Sequence, residues 1–505
     1  MLRFARTPNA VGSLCILLFI WARSLAAAAE FPGSKWKVAS PESQGLDSAV
    51  LAEAVDYVRA KRIPLHSFLI VRNGVMVLDG YFWPYQGREV HDVASVTKSF
   101  TSTAIGLAID KGFVAGVDEK VDQFFPSARN DSDPRRSRLS LRHLLTMTSG
   151  FDCNTDGGEK VLAAMRSRPD WAAYAVGLPM ITEPGSQFAY CSCNNHVLSS
   201  VVTAKTGMSA SHFLKANLFD PLGIKDAVWP QDPKGRSHGW GDLHLHPTDM
   251  ARVGLLFLNE GRWGDRQVLS RDWIRNATRE NVHVRSGVGY GYSWWINTER
   301  PPIFEAEGRG GQRISVLPKE NIVLVFTGGG VNTDEIAPFL FRSIRSNAAI
   351  PENAVGQQKL RRALNESLKK VIEPSNSLTP ALAHSVSGVT YTLAPNPLDL
   401  RTLRLDFNKG KEALATLGFD ETRWIARVGL DGKRRFAPGG PHGLALASAG
   451  RWLSDSEFLL DIDTVANVNH FLFRLRVDGD QAQIRMSETT GEMTDLAVAA
   501  FASKK

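Results

Sequence analysis

Apolar and polar positions along this chain recur in two periods, and the order in which the periods change sets the expected architecture. Over 47–61, Val50, Leu51, Ala54, Val55 and Val58 fall at helical spacing behind Asp47 or Ser48 as cap, which predicts a helix. Two extended apolar runs follow, Phe68-Leu-Ile-Val-Arg72 and Val75-Met-Val-Leu-Asp79. Between them stands Asn73-Gly74, the pair that suits a two-residue type I′ turn because both residues tolerate positive φ. The period turns helical again over 95–111, where Phe100, Ala104, Ile105, Ala108 and Ile109 make a stripe that stops at Lys111-Gly112.

Helices and loops dominate the expectation for 113–300, with apolar helical segments at 141–145 and 195–206 and a helix capped by Thr248-Asp249 that runs to Leu258. Runs at 313–318 and 322–326 flank Lys319-Glu-Asn321 as a second hairpin, and 335–346 reads as a closing helix. Helix, hairpin, helical insertion, hairpin, helix is the order of an α+β fold. One antiparallel sheet is flanked by helices and joins chain segments far apart in sequence, with the helical block as an inserted subdomain. The cleft between subdomains is the expected place for a site.

Beyond 350 the pattern changes. A polar helix over 357–371 reads as a connector, and Pro374-Ser-Asn-Ser377 as a linker. Short extended runs then recur at 390–393, 402–407, 424–428, 458–462, 471–476 and 482–485, the rhythm of an all-β, barrel-like domain. The expected division is 1–29, 30–350, 351–384 and 385–505.

The first 29 residues look like a secretory signal peptide. Arg3 and Arg6 precede an apolar stretch from Ala10 to Ala22, and Ala26-Ala-Ala-Ala29 offers a cleavage site. Arg23 ends the apolar run before it reaches the ~20 residues a spanning helix needs. Cys15 lies inside the apolar region, where a lipid-anchoring cysteine would not stand. The expectation is an exported, periplasmic or secreted bacterial protein with no membrane span once the segment is removed. The net charge of +7 then falls to +4 with the loss of Arg3, Arg6 and Arg23. No dense basic stripe accompanies it: Asp133-Pro-Arg-Arg-Ser-Arg138 is short and mixed, so nucleic acid is not an expected partner. Export permits disulfides, and a bridge from Cys153 to Cys191 or to Cys193 is the natural candidate. His244-Leu-His246, with His238 nearby, reads as a loop before a helix rather than a metal site.

The chemistry gathers on Ser95-Val-Thr-Lys98. Residues three apart share a helical face, so the hydroxyl and the amine can meet. A serine hydroxyl is a poor nucleophile until a base takes its proton. The start of a helix also places partial positive charge near a developing alkoxide. The spacing alone is weak, because Ser34-Lys-Trp-Lys37 and Ser367-Leu-Lys-Lys370 share it in polar surroundings.

Four segments in sequence lift it: Val93-Ala-Ser-Val-Thr-Lys-Ser-Phe100, Leu141-Arg-His-Leu-Leu-Thr-Met-Thr-Ser-Gly150, Pro184-Gly-Ser-Gln-Phe-Ala-Tyr-Cys-Ser192 and Gly308-Arg-Gly-Gly-Gln312. Over roughly 36–347 the chain resembles the serine hydrolase family of class C β-lactamases, penicillin-binding DD-peptidases, family VIII esterases and 6-aminohexanoate-dimer hydrolase. Cys191 and the Gly-Gly-Gln segment resemble the dimer-hydrolase and esterase side more than true β-lactamases. The resemblance implies Ser95 as acyl-accepting nucleophile, Lys98 as the partner sharing its proton, and Tyr190 as the relay to the leaving group. It implies an oxyanion hole from the backbone N–H groups of Ser95 and Gln312. Ser192 stands where the family usually has Asn, and a hydroxyl offers one donor rather than two. Arg309, Gly310 and Gly311 stand where relatives carry Lys-Thr-Gly or His-Thr-Gly, Arg309 as a substitute cation or a turn-exposed side chain, the glycines as places where backbone approaches substrate. Asp152, His91, Trp36 and Trp240 are further residues near the cleft, each expected to be structural.

The expected activity is hydrolysis of small esters or amides through an acyl-enzyme on Ser95, with no metal or cofactor. A β-lactamase or DD-peptidase is the enzymatic alternative, and a non-catalytic binding protein on the same fold the other. The C-terminal region resembles the lipocalin-like modules found behind such hydrolases. Ligand binding, capping of the site and homo-oligomer formation all fit it, beside a purely structural role.

Overall fold

The computed structural model describes residues 31–502, apart from 126–132, 154–159, 300–302, 373–379, 408–409, 421, 479–480 and 492. The 1–29 segment expected to be a signal peptide and the expected linker Pro374-Ser-Asn-Ser377 lie outside the described residues. No helix among the described residues is long and apolar enough to cross a membrane.

The first helix, α1 (Ser48–Lys61), starts where Asp47 accepts a hydrogen bond from the Ala49 N–H at 3.0 Å. It buries Val50, Leu51, Ala54, Val55 and Val58. Strands β1 (Leu65–Arg72) and β2 (Val75–Tyr81) form the hairpin, and Asn73 and Gly74 take φ of 53° and 81°, as a type I′ turn requires. All eight residues of β1 are buried. Alternate side chains enter opposite cores: Leu69 and Val71 pack with the inserted helices, Phe68 and Ile70 with α1. A strand between two helical layers is apolar on both faces for this reason.

The sheet has eight antiparallel strands. Its spatial order is β2, β1, Ile322–Gly328, Gln312–Leu317, Ile303–Gly308, Trp295–Asn297, Val288–Tyr290 and Val282–Arg285. The first hairpin thus pairs with the last strand, Phe68 opposite Phe326 and Ile70 opposite Leu324, across the whole insertion. Three short strands over 282–297, expected as loop, widen the sheet. The insertion carries α2 (Thr97–Asp110) and, behind it, Ser192–Thr206 and Pro247–Leu258. That last helix begins at Pro247, so Thr248 and Asp249 sit in its first turn and His246 holds the cap position.

The helix expected as a polar connector spans Ala354–Ser367, and Leu360 and Ala363 join the core beneath α1. It is therefore part of the outer layer of the hydrolase fold. The C-terminal domain is a separate, closed β-barrel of nine strands. Closure comes from the parallel pairing of Arg423–Gly429 with Leu446–Trp452, Val428 opposite Ser448. Its interior is filled by Leu405, Leu417, Phe458, Leu460, Phe473 and Ile484, among others. Strands at Glu412–Gly418, Leu446–Trp452 and Leu496–Ala502 add to those the sequence pattern predicts.

Leu69 is fully buried on the inserted-helix side of β1. Leu69→Ala is expected to lower the stability of the hydrolase domain by about 2–5 kcal/mol through the cavity it leaves, read as a lower midpoint in urea denaturation.

Candidate active site

Ser95 sits in a short helical turn, Ala94–Val96, that leads directly into α2. Ala94 has φ of 46°, a left-handed conformation that costs a non-glycine residue roughly 1–2 kcal/mol. Its neighbours hold it there. The Asp92 carboxylate accepts from the Ala94 N–H at 2.8 Å, and the Thr97 hydroxyl donates to the Ala94 carbonyl at 2.6 Å. The turn projects the Ser95 side chain, half-buried, at the front of α2.

Lys98 follows one turn later and is 1% exposed. Its Nζ donates to Ser95 Oγ at 2.8 Å and to the Trp240 carbonyl at 3.0 Å. The loop that presents this carbonyl is fixed to α2 by the Thr101 hydroxyl, which donates to the Gly239 carbonyl at 2.7 Å. On the other side the Ser99 hydroxyl donates to the Ser293 carbonyl at 2.6 Å. Ser99 and Thr101 thus each bolt a loop to α2, the helix that follows the serine turn.

Tyr190 enters from the segment before Ser192–Thr206. Lys98 Nζ lies 4.8 Å from the centre of its ring. Both flanking residues are tied to Met147: the Ala189 N–H donates to the Met147 carbonyl at 2.8 Å, and the Cys191 N–H to the Met147 thioether at 3.4 Å. Cys191 is also disulfide-bonded to Cys153, and Cys193 is buried outside that bridge. Trp295 stacks on the Tyr190 ring with centroids 6.0 Å apart, and Phe188 and Tyr290 abut Trp295. Burial holds the Tyr290 phenol well above its ordinary range.

The glycine-rich hairpin forms the opposite wall. A Cβ on Gly308 would lie 2.6 Å from the Val93 carbonyl oxygen and 3.0 Å from the Ser95 amide nitrogen, so glycine is what lets this strand end abut the Ser95 turn. Gln312 pairs with Gly308 across the hairpin. Its side chain donates to the Gly328 carbonyl at 2.6 Å and accepts from the Gly328 N–H at 3.2 Å, locking the hairpin to the next strand. The tip points elsewhere than the resemblance implies. Arg309 donates to Thr490 Oγ1 at 2.9 Å and Asn469 Oδ1 at 3.0 Å in the barrel domain. A Cβ on Gly310 would meet Val468, and one on Gly311 would meet Val331.

Of the remaining expected residues, Ser192 is buried as the first residue of its helix. His91 is fully buried, with Nε2 2.8 Å from His66 Nδ1, and burial pushes both imidazoles down. Trp36 donates to the Thr248 carbonyl and belongs to the surroundings of Pro247–Leu258. Trp240 contributes its carbonyl rather than its ring, a role no side-chain pattern announces. Trp295 and Asp92 were not anticipated. Trp295 shows in the sequence only as a tryptophan after a run of glycines, and Asp92 leaves no signal there, because the strain at Ala94 that it holds is visible only in the fold.

A serine hydroxyl, a buried amine hydrogen-bonded to it and a tyrosine beside the amine, set between an antiparallel sheet and a helical subdomain, are the arrangement expected of active-site serine hydrolases. The Beta-lactamase family model matches residues 50–347, more than half of the chain, and the protein belongs to that family of serine hydrolases. The chain is 25% identical over 283 residues to 6-aminohexanoate-dimer hydrolase of Paenarthrobacter ureafaciens, covering 51% of this chain and 71% of that protein. It is 23% identical over 249 residues to penicillin-binding protein 4* of Bacillus subtilis, covering 42% and 53%. Among solved structures, EstCE1, a hydrolase with promiscuous acyltransferase activity, shares the fold at a TM-score of 0.50 and 15% identity, covering 59% of this chain and 99% of that one.

The loop that holds the Trp240 carbonyl rests on a buried ion cluster. Asp232 accepts from His196 Nε2 at 3.1 Å and from Arg236 Nε at 2.8 Å, and from the backbone of Lys234 and Arg236. Burial raises its pKa, but these hydrogen bonds and the Arg236 charge outweigh burial and bring it to about 2. A depressed carboxylate stabilises the fold above its unfolded pKa of ~3.9 and loses that contribution as pH falls through its folded value. Asp232→Asn is therefore expected to lower the thermal midpoint by an amount that is constant from pH 7 to about pH 5 and shrinks below pH ~4.

Proposed function

We propose that the protein hydrolyses small esters or amides by acyl transfer to Ser95. The observation that carries this reading is the Lys98 amine, buried and hydrogen-bonded to Ser95 Oγ at 2.8 Å. A buried amine in that position can take the hydroxyl proton as Oγ attacks a carbonyl carbon. The Oγ–C bond forms as the carbonyl π pair moves to oxygen, where the Ser95 amide and the hairpin backbone near Gly308 and Gln312 stabilise the charge. Collapse of the tetrahedral intermediate expels the alcohol or amine, and Tyr190, next to Lys98, passes it the proton. Water then attacks the acyl-enzyme, and the same groups return the proton to Ser95.

Ester or amide substrates are favoured over β-lactams for a specific reason. The cation that would meet a substrate carboxylate in this family's third motif is Arg309, and its guanidinium is engaged by Thr490 and Asn469. Ser192 in place of the usual Asn removes one amide donor from the same region. Half-exposed Phe188 and Trp295 beside Tyr190 form an apolar wall suited to a hydrocarbon acyl or leaving group. The similarity to 6-aminohexanoate-dimer hydrolase supports a linear amide as a candidate substrate. Export through the 1–29 segment, with action outside the cytoplasm, completes the reading.

Purified protein is expected to turn over a short-chain p-nitrophenyl ester and to form a covalent adduct with a fluorophosphonate. Ser95→Ala should abolish both, and Lys98→Ala or Tyr190→Phe should slow turnover by roughly 10²–10⁴-fold. Labelling of Ser95→Ala at the wild-type rate overturns the assignment. Running esters, linear amides and a cephalosporin side by side measures the preference, and faster turnover of the cephalosporin than of any ester would favour the β-lactamase reading.

A further inference from the structure

The barrel domain reaches both walls of the site through one loop and one strand end. The loop over 464–469 supplies the Ala466 carbonyl, which accepts from the Asp92 N–H at 2.9 Å. It also supplies Asn467, whose side-chain N–H group donates to Asp92 Oδ2 at 3.4 Å. The other Asp92 oxygen holds the Ala94 N–H, and through it the left-handed residue that aims Ser95. Asn467 and Asp92 are both almost wholly buried. On the opposite wall, Arg309 of the glycine hairpin is held by Asn469 and Thr490, with Glu488 Oε2 3.9 Å away. The Thr489 hydroxyl donates to the Gly329 carbonyl at 2.7 Å. Tyr85 of the hydrolase domain packs in one apolar cluster with Val465 and Ala466.

We propose that Asn467 is a positioning residue for the reaction, and that the barrel domain is a constituent of the active site rather than an appended module. Asn467 orients the Asp92 carboxylate, Asp92 holds Ala94 in its strained conformation, and Ala94 sets the direction of Ser95 Oγ toward Lys98. The same loop, through Asn469, fixes the hairpin that faces the Ser95 amide. The distance between nucleophile and oxyanion donors is thus set in part from outside the hydrolase domain. Neither Asn467 nor Asp92 reaches Oγ, so their contribution is to geometry. Misplacement of this order costs rate rather than affinity. The proposal rests on the reading of Ser95 as nucleophile.

The hydrogen-bond polarity at this contact gives the test. Asn467 Oδ1 accepts from the Asn469 N–H at 3.2 Å, so its amide cannot flip without losing that bond. Asp92→Asn then sets donor against donor, and Asn467→Asp sets carboxylate against carboxylate. The double variant, Asp92→Asn with Asn467→Asp, restores a donor–acceptor pair while retaining both other bonds. Each single variant of the full chain is expected to slow fluorophosphonate labelling and p-nitrophenyl ester kcat by about tenfold or more, with KM within about twofold of wild type. The double variant should recover to within about threefold of the wild-type rate. Single variants that label at the wild-type rate, or a double variant no faster than the singles, overturn the proposal. Should Asn467→Asp fail to fold, Asn467→Ala withdraws the donor without adding charge, and labelling at the wild-type rate then overturns it equally. Ser95→Ala run in parallel separates the two readings: an inert Ser95→Ala beside a fully active Asn467→Asp refutes the positioning role alone.

Discussion

An amine withdrawn from water has to be given acceptors, and much of this molecule is arranged around the acceptors of Lys98. A buried ammonium without partners is costly, and one with too many would never release its proton. Lys98 has the Ser95 hydroxyl in front and a backbone carbonyl behind. The carbonyl belongs to Trp240, in a loop that cannot be displaced because α2 holds it through Thr101 and the buried Asp232 cluster supports it from below. Both of these acceptors are neutral oxygens. The price is a loop that must be rigid, and the polar residues threaded through the insertion provide that rigidity.

The Ser95 turn imposes a second constraint, because the residue before Ser95 is strained. A left-handed alanine persists only where surrounding bonds over-determine it. Two of those bonds are local, from Asp92 and Thr97. The third level of support, through Ala466 and Asn467, comes from a domain whose own core lies elsewhere. The glycine hairpin repeats the pattern. Gly308 makes close approach possible, Gln312 ties the hairpin to its own sheet, and Arg309 ties its tip to the barrel. Each wall thus has one anchor in the hydrolase domain and one in the barrel.

The sequence makes the first half of this plain. Asn73-Gly74 specifies its turn because few other pairs take positive φ twice in succession, and the flanking runs of β1 read as strand because both faces are buried. Ser95, Lys98 and Tyr190 stand out by their order and spacing, and the structure brings Lys98 against the other two. The rest escapes for physical reasons. Strands such as Glu412–Gly418 and Leu496–Ala502 alternate through alanine, whose burial leaves little trace in hydrophobicity. The short strands over 282–297 are interrupted by Gly287, Gly289 and Gly291, which read as loop. The Trp240 carbonyl has no side-chain signature at all. Arg309 was legible as a cation near the site, but whether a cation faces substrate or a neighbouring domain depends on tertiary contacts that local pattern does not carry.

Those tertiary contacts also bear on why the third motif departs from the Lys-Thr-Gly or His-Thr-Gly of relatives. A cation facing substrate must be free to change partners as substrate arrives, and one fixing a domain must not. A planar guanidinium suits the second task, because it can donate to two acceptors at once in fixed geometry. Arg309 does this with Thr490 and Asn469 while Glu488 offsets its charge. An ammonium or an imidazole at this position would lose the fork that spans both acceptors. Arginine there is thus consistent with a hairpin whose tip belongs mechanically to the barrel, while its backbone at Gly308 abuts the Ser95 turn. The guanidinium of Arg309 therefore joins the hairpin wall of the site to the barrel domain, and the two acceptors it spans both belong to that domain.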